Sequence, residues 1–232
     1  MLWQVISMKK NVVSLVYKAA LALVIAGGTA GRAGLFSGEI NLSIFFSFTT
    51  ISNMCVLAVT LFTIGKLVTG RGQISAALSR VRATCVIMIL ITGLVYHFVL
   101  LPQKLQENSQ YNVFAYGNMI AHYVAPPGLL ADWLVFDKKG SMKKQDPLIL
   151  VSLPFAYFAV TSLYGYYRQT AMGDENAYVY FFMNWGELGV SGVLLWVLPI
   201  ALGVIGLAYS IYFLDRWLGK KQAAPLAERQ NG

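Results

Sequence analysis

Apolar runs of about 20 residues recur along the whole chain, and they constrain its fold more than any other feature. A run of this length lets an α-helix cross the hydrocarbon core of a bilayer. Only 12% of the 232 residues are charged, about half of what soluble domains carry. We therefore predict an all-α integral membrane bundle, a single domain covering residues 1–232. The six predicted transmembrane helices comprise residues 11–31, 41–65, 83–102, 113–136, 147–168 and 190–215, with a mobile tail at 222–232.

Lysine and arginine are distributed unequally between the two sets of predicted loops. Fourteen lie on the side that holds both chain termini and three on the opposite side. By the positive-inside rule, both termini are predicted to be cytoplasmic. The net charge of +8 then reflects topology and attraction to anionic lipid headgroups. Membrane lipids are the expected partners, and nucleic-acid binding is not expected.

The predicted fourth span combines polar side chains with a double proline. Asn118 and His122 fall on one helical face, and Asp132 lies further along the same span. Pro126 and Pro127 have no N–H group, so the carbonyls four residues earlier lose their usual helical partners. In hydrocarbon, other protein groups or a water-filled cavity must satisfy the freed carbonyls. The sequence therefore predicts an ionisable imidazole beside an opening in a buried helix.

Two charged residues are predicted at similar depth in different spans, Lys18 in the first and Asp132 in the fourth. Either one alone would be an uncompensated charge inside the membrane. We predict that Lys18 and Asp132 pair or share a polar network, and snorkelling of Lys18 to the interface is the alternative. Because the first span is long and contains Lys18, we expect it to be retained rather than cleaved as a signal sequence.

The predicted second span carries Ser43, Ser47, Thr50 and Asn53 at spacings of four, three and three, which form one polar stripe. Such hydroxyls ordinarily bond a carbonyl of their own helix or hold neighbouring helices together. By residue count, however, Thr50 and His122 lie at the same depth, ~14 Å below the outer ends of their spans. A hydroxyl and an imidazole at one level are the minimum for nucleophilic catalysis, in which the imidazole acts as base and then as acid.

Amide and aromatic side chains near this pair are candidates for substrate contact. Asn53 and Asn118 lie about one turn from Thr50 and His122 and are candidates to stabilise an oxyanion. His97 is expected near the outer interface. The aromatic segment 174–187 is predicted to form an interfacial helix or lid over the bundle. The candidate substrate-binding residues are Ser47, Asn53, His97, Asn118 and Tyr123.

No cofactor or metal is expected. The chain has two histidines, which are predicted at different depths and form no helical metal-binding motif. The two cysteines fall in the cytoplasmic halves of their spans, where neither a disulfide nor a cysteine-based zinc site is expected.

The run Thr50-Ile-Ser-Asn53, followed by Asn118-x-x-x-His122-x-x-x-x-Pro127-x-x-x-x-Asp132, resembles the androgen-induced family of multi-pass membrane threonine hydrolases. The similarity extends from the second span to the stretch 179–182. It implies six spans and hydrolysis of fatty acid esters of hydroxy fatty acids through an acyl-threonine. The resemblance assigns the nucleophile to Thr50 and the histidine to His122, and it aligns Asp132 with a carboxyl residue of the family.

Two features of the sequence leave the choice of nucleophile and the substrate open. Thr49 is adjacent to Thr50, so the nucleophile could be either threonine. Tyr96-His97 stands where animal members have an Asp-Arg pair, so the lining of the pocket and the substrate are expected to differ. Since the family has many bacterial relatives, we expect a protein of the bacterial cytoplasmic membrane.

We therefore expect an intramembrane hydrolase of a lipid ester. A small-molecule or lipid binding or transport subunit without catalysis is one alternative, and tight binding without turnover would favour it. A scaffold whose polar stripes only hold helices together is the other. Loss of stability on substitution of Thr50 or His122, with no bound lipid, would favour the scaffold.

Overall fold

The structure, a computed structural model, describes the backbone of residues 2–69 and 74–228 and the side chains of residues 11–69 and 74–222. Within these residues the chain is helical and contains no strand. Six helices have a stretch long and apolar enough to cross a membrane, which confirms the predicted fold class. They are α1 (Leu2–Arg32), α2 (Phe48–Val68), α3 (Ala76–Glu107), α4 (Tyr116–Phe136), α5 (Asp146–Met172) and α6 (Trp185–Glu228).

Helix α2 begins at Phe48, not at residue 41 as predicted. The stretch Leu42–Phe46 forms a separate 3-10 turn, and Ser47 then adopts an extended backbone with φ −79° and ψ 141°. The Ser47 hydroxyl accepts a hydrogen bond from the Thr50 amide at 3.2 Å, so Ser47 is the N-cap of α2. The predicted continuous stripe from Ser43 is therefore wrong, because the helix is interrupted at its cap. Thr50 lies in the first turn of α2, so the residue count from which its depth was predicted does not apply.

Helix α3 is longer than predicted at both ends and passes through Pro102 without ending. The segment Tyr96–Leu100 is a π-helical turn, in which the Leu101 amide donates to the Tyr96 carbonyl five residues earlier. The π-helical turn changes the backbone hydrogen bonding just before Pro102, which has no N–H group to donate.

Helix α4 contains a second π-helical turn at Ile120–Val124, where the Ala125 amide donates to the Ile120 carbonyl. Pro126 and Pro127 follow directly. This turn is the break in regular α-helix that the two prolines predict beside His122.

The segment between α5 and α6 is not the interfacial helix that the sequence suggested. Its only helical part before Trp185 is a 3-10 turn at Phe181–Met183. Phe182 and Met183 are buried, and they pack against Tyr96 and Leu100 of α3. The segment therefore covers the bundle by inserting aromatic side chains. At the other end of α6 the backbone is helical to Glu228, within the predicted mobile tail, and residues 229–232 lie outside the described residues.

Helices α1 and α4 approach each other closely through glycines. A Cβ atom at Gly28 would lie 2.3 Å from Cγ2 of Ile120, and one at Gly117 would lie 2.7 Å from the Arg32 amide nitrogen. Small residues let membrane helices pack backbone to backbone. The position of α4, which carries His122, is therefore set by glycines of both helices.

We predict that Gly28→Ala lowers the melting temperature of the detergent-solubilised protein by several degrees. The added methyl group overpacks the α1–α4 contact, and overpacking typically costs about 1–3 kcal/mol. Gly206→Ala in α6 is the matched control, because a Cβ atom there meets nothing within 4 Å. Thermal unfolding of the two variants should place Gly206→Ala at or above the wild type. Equal melting temperatures would contradict the packing role of Gly28.

Candidate active site

A cavity of about 700 Å³ opens at the end of the bundle that contains the connecting segments 33–47, 108–115 and 173–184. We call it the polar cavity, because tyrosine, amide, hydroxyl and charged groups make up much of its wall. Helices α1, α2, α3 and α4 all contribute to it. The side chains that matter most for chemistry are Arg32, Ser47, Thr49, Tyr96, Asn118 and His122.

His122 lies in the wall of the polar cavity, stacked against Tyr96. The two rings are nearly parallel, with centroids 3.8 Å apart and an angle of 12° between their planes. Each ring comes from a π-helical turn, Tyr96 from that of α3 and His122 from that of α4. The imidazole is buried, and its Nδ1 has no hydrogen-bond partner among the residues that the structure describes.

Asn118 fixes Tyr96 instead of pointing its amide at a substrate. Its Nδ2 donates to the Tyr96 hydroxyl at 2.6 Å and to the Val113 carbonyl at 2.7 Å. Its Oδ1 accepts a longer hydrogen bond from the Tyr111 hydroxyl, at 3.4 Å. Both amide hydrogens are thus used within the protein. Asn118 lines the cavity as predicted, but the donor role expected for it is not supported.

Thr49, and not Thr50, lines the cavity that His122 also lines. Neighbouring residues of an α-helix project about 100° apart, so the two threonines face different surroundings. The Thr50 hydroxyl is buried beside the cap of α2, 3.1 Å from the Ser47 hydroxyl. Of the two threonines that the sequence left open, Thr49 is the one that can meet a molecule in the cavity with His122. Thr50 does not line this cavity, and the choice of nucleophile stays a prediction.

A second cavity, of about 90 Å³ and lined almost entirely by apolar side chains, adjoins the first. We call it the apolar cavity. Its wall includes Phe48, Ile91 and Val197, while Thr49 and Tyr180 belong to both cavities. Thr49 therefore lies at the junction between a polar and an apolar space.

Tyr180 brings a hydroxyl group to this junction. Its oxygen accepts a hydrogen bond from the Phe48 amide at 3.1 Å and lies beside the Thr49 hydroxyl. Desolvation raises the pKa of the Tyr180 phenol above its usual value. The hydroxyl therefore stays protonated near neutral pH and can donate a hydrogen bond. The sequence predicted an aromatic cover at this position but did not single out Tyr180.

Three of the predicted substrate-binding residues lie outside the wall of either cavity, namely Asn53, His97 and Tyr123. Asn53 is buried in α2 and donates to the Thr49 carbonyl of its own helix at 2.8 Å. His97 is exposed, and its Nδ1 lies 3.1 Å from the Tyr123 hydroxyl. These three residues are therefore not brought together with His122 at the cavity.

The predicted pairing of Lys18 with Asp132 is confirmed, with Nζ and Oδ1 2.7 Å apart and both side chains fully buried. Arg82 joins them. Its Nη2 pairs with the second oxygen of Asp132, and its Nε donates to Asp137 at 2.6 Å. The four side chains form a cluster of two cations and two anions that connects α1, α3 and the end of α4. Arg82 directly precedes the predicted third span, so hydropathy alone places it among the loop cations.

The residues that the structure describes contain no group of three or more His, Cys, Asp or Glu side chains that could hold a metal ion. Cys55 and Cys85 are free thiols. The polar cavity brings together a threonine hydroxyl, an imidazole and a phenol, those of Thr49, His122 and Tyr180.

Comparison with known proteins adds no relative: no family model, curated protein or solved structure matches the chain. The resemblance of the threonine and histidine motifs to the androgen-induced family stays a hypothesis. The geometry of the two cavities is therefore the basis for inferring a function.

We predict that Asp132→Asn strongly destabilises the folded protein, by about 3–5 kcal/mol, because Lys18 and Arg82 then face one carboxylate. The double variant Lys18→Met/Asp132→Asn restores the balance between Arg82 and Asp137. We expect it to melt at a higher temperature than Asp132→Asn alone. Thermal unfolding of both variants in detergent tests this, and a double variant no more stable than the single one would contradict the account of the cluster.

Proposed function

We propose that the protein is an intramembrane hydrolase that cleaves an ester bond of a lipid, such as a fatty acid ester of a hydroxy fatty acid. Thr49 is the nucleophile and His122 is the general base and then the general acid. The observation that carries the proposal is that both side chains line the polar cavity, where Thr49 also borders the apolar cavity. No cofactor takes part.

The reaction follows from these groups in two halves. The His122 imidazole removes the proton from the Thr49 hydroxyl, and the oxygen attacks the ester carbonyl to give a tetrahedral oxyanion. The imidazolium then gives its proton to the leaving alcohol oxygen, the C–O bond breaks, and acyl-Thr49 remains. Water, deprotonated by His122, attacks the acyl carbonyl, the imidazolium returns that proton to the Thr49 oxygen, and the fatty acid is released.

Tyr180 and Tyr96 have different roles in this scheme. The Tyr180 hydroxyl lies beside Thr49 and has a proton to donate, so it is the proposed donor to the oxyanion. Tyr96 is a positioning residue, because it stacks on the imidazole and is itself held by Asn118. A base whose ring is fixed by packing loses less entropy on reaching its reactive geometry.

The proposed orientation follows the charge distribution of the loops, with both termini in the cytoplasm of a bacterium. The polar cavity would then open toward the outer side of the membrane. Lipid in the outer leaflet is the nearest source of substrate under this topology.

The alternative is a subunit that binds or transports a small molecule or lipid without catalysis. One observation favours it: His122 Nδ1 has no hydrogen-bond partner among the described residues, so no Thr–His hydrogen bond is formed without a ligand. Catalytic hydrogen bonds often tighten only when substrate binds. Turnover of an ester therefore separates the two functions.

We predict that Thr49→Ala and His122→Ala each lower the hydrolysis of p-nitrophenyl octanoate by at least about 100-fold, since each removes a group that takes part in proton transfer. The assay uses the full-length protein in detergent micelles and follows release of p-nitrophenol. Thr50→Ala is the matched control and should keep activity within a few-fold of the wild type.

The melting temperature of each variant shows whether it is folded. Full activity in folded Thr49→Ala or His122→Ala would reject the proposed chemistry. Loss of activity in folded Thr50→Ala, with Thr49→Ala active, would return the nucleophile to Thr50.

A further inference from the structure

Arg32 ends α1 and lines the polar cavity without a carboxylate partner. The ion pairs among the described residues involve Lys18, Arg82 and Arg168 but not Arg32. Its Nη1 is buried and makes no hydrogen bond within this part of the chain. Lys18 and Arg82 are thus paired with carboxylates inside the bundle, whereas Arg32 is not.

The surroundings of Arg32 supply no full negative charge. The ionisable groups around it are the phenols of Tyr180, Tyr111 and Tyr96 and the imidazole of His122, and none of these is a carboxylate. The carbonyl groups at the C-terminus of α1 contribute only a partial negative charge. Glu107 is the acidic side chain in the wall of the polar cavity, and it accepts a hydrogen bond from Gln103 at 2.8 Å. A half-buried guanidinium in such a site favours an anion from outside the protein.

The guanidinium is also held in place by packing. Gly117 of α4 lies directly on the Arg32 stem, since a Cβ atom at Gly117 would come within 2.6 Å of Arg32 Cγ. A long side chain that is free to move would snorkel toward water. The buried Nη1 and the packed stem indicate instead that the guanidinium is held in place in the cavity wall.

We propose that Arg32 binds the anionic group, a carboxylate or a phosphate, of an amphiphile whose hydrocarbon chain extends toward the apolar cavity. A planar guanidinium suits both groups, because it can donate two parallel hydrogen bonds. As a statement about substrate, the assignment rests on the proposed function, with the ester at Thr49 between the chain and the anion. As a statement about binding, it requires no turnover.

The test measures binding of three ligands that share one hydrocarbon chain: oleate, oleyl phosphate and oleyl alcohol. Each is titrated into the full-length protein in detergent micelles, at a pH that ionises the carboxylate. We expect at least one of the two anions to bind about tenfold or more tightly than the alcohol, as a charge-assisted hydrogen bond implies. The tighter of the two identifies the source of the anionic group.

Arg32→Gln should abolish the preference for the anion while leaving the affinity for oleyl alcohol within about twofold. Arg168→Gln is the matched control, because Arg168 lines the same cavity but already pairs with Asp174. It should keep the preference. If Arg32→Gln does not fold, Arg32→Lys retains the charge without the planar fork and should keep a reduced preference.

Equal binding of the anions and the alcohol to the wild type would overturn the proposal. So would a preference that survives in folded Arg32→Gln, or an undiminished preference in Arg32→Lys. A preference that depends on Arg32, in a protein that hydrolyses no ester, would support this site and reject the proposed reaction.

Discussion

The architecture depends on one constraint, which is that every backbone polar group within a membrane must find a partner inside the protein. Pro126 and Pro127 remove two donors from α4, and Pro102 removes one from α3. Each helix accommodates its prolines with a π-helical turn placed just before them. These turns bring Tyr96 and His122 into a stack of 3.8 Å. A requirement of the backbone thus places an imidazole in the wall of a cavity.

Helix α4 connects two polar centres with opposite character. Around Asp132 the charges are buried, balanced and in direct contact, which makes the cluster a structural link between helices. Around His122 tyrosine, amide and hydroxyl groups line the polar cavity, and Arg32 has no carboxylate partner there within the described residues. Ion pairs in direct contact link the helices of a bundle, whereas a cation and an imidazole in a cavity wall are typical of a binding site.

Much of this could be predicted from the sequence, because the membrane makes certain patterns unambiguous. Apolar runs gave the six helices, a lone charge in each of two spans gave the pair Lys18–Asp132, and the double proline gave the break beside His122. The start of α2 could not be predicted, since Ser47 acts as a cap within an apolar run and hydropathy does not register caps. The choice between Thr49 and Thr50 depends on that start, because it sets which residue faces the cavity. The positions of Arg32 and Tyr96 in the cavity wall could not be predicted, because they depend on how the helices pack.

The most direct test of the account is to find which side chain an acyl-like electrophile modifies. An alkyl fluorophosphonate is incubated with the full-length protein, and the adduct is located by tandem mass spectrometry of the peptide that contains Thr49 and Thr50. The account predicts a single adduct on Thr49 that is lost in His122→Ala. An adduct on Thr50, or an active protein with no adduct on either threonine, would contradict it.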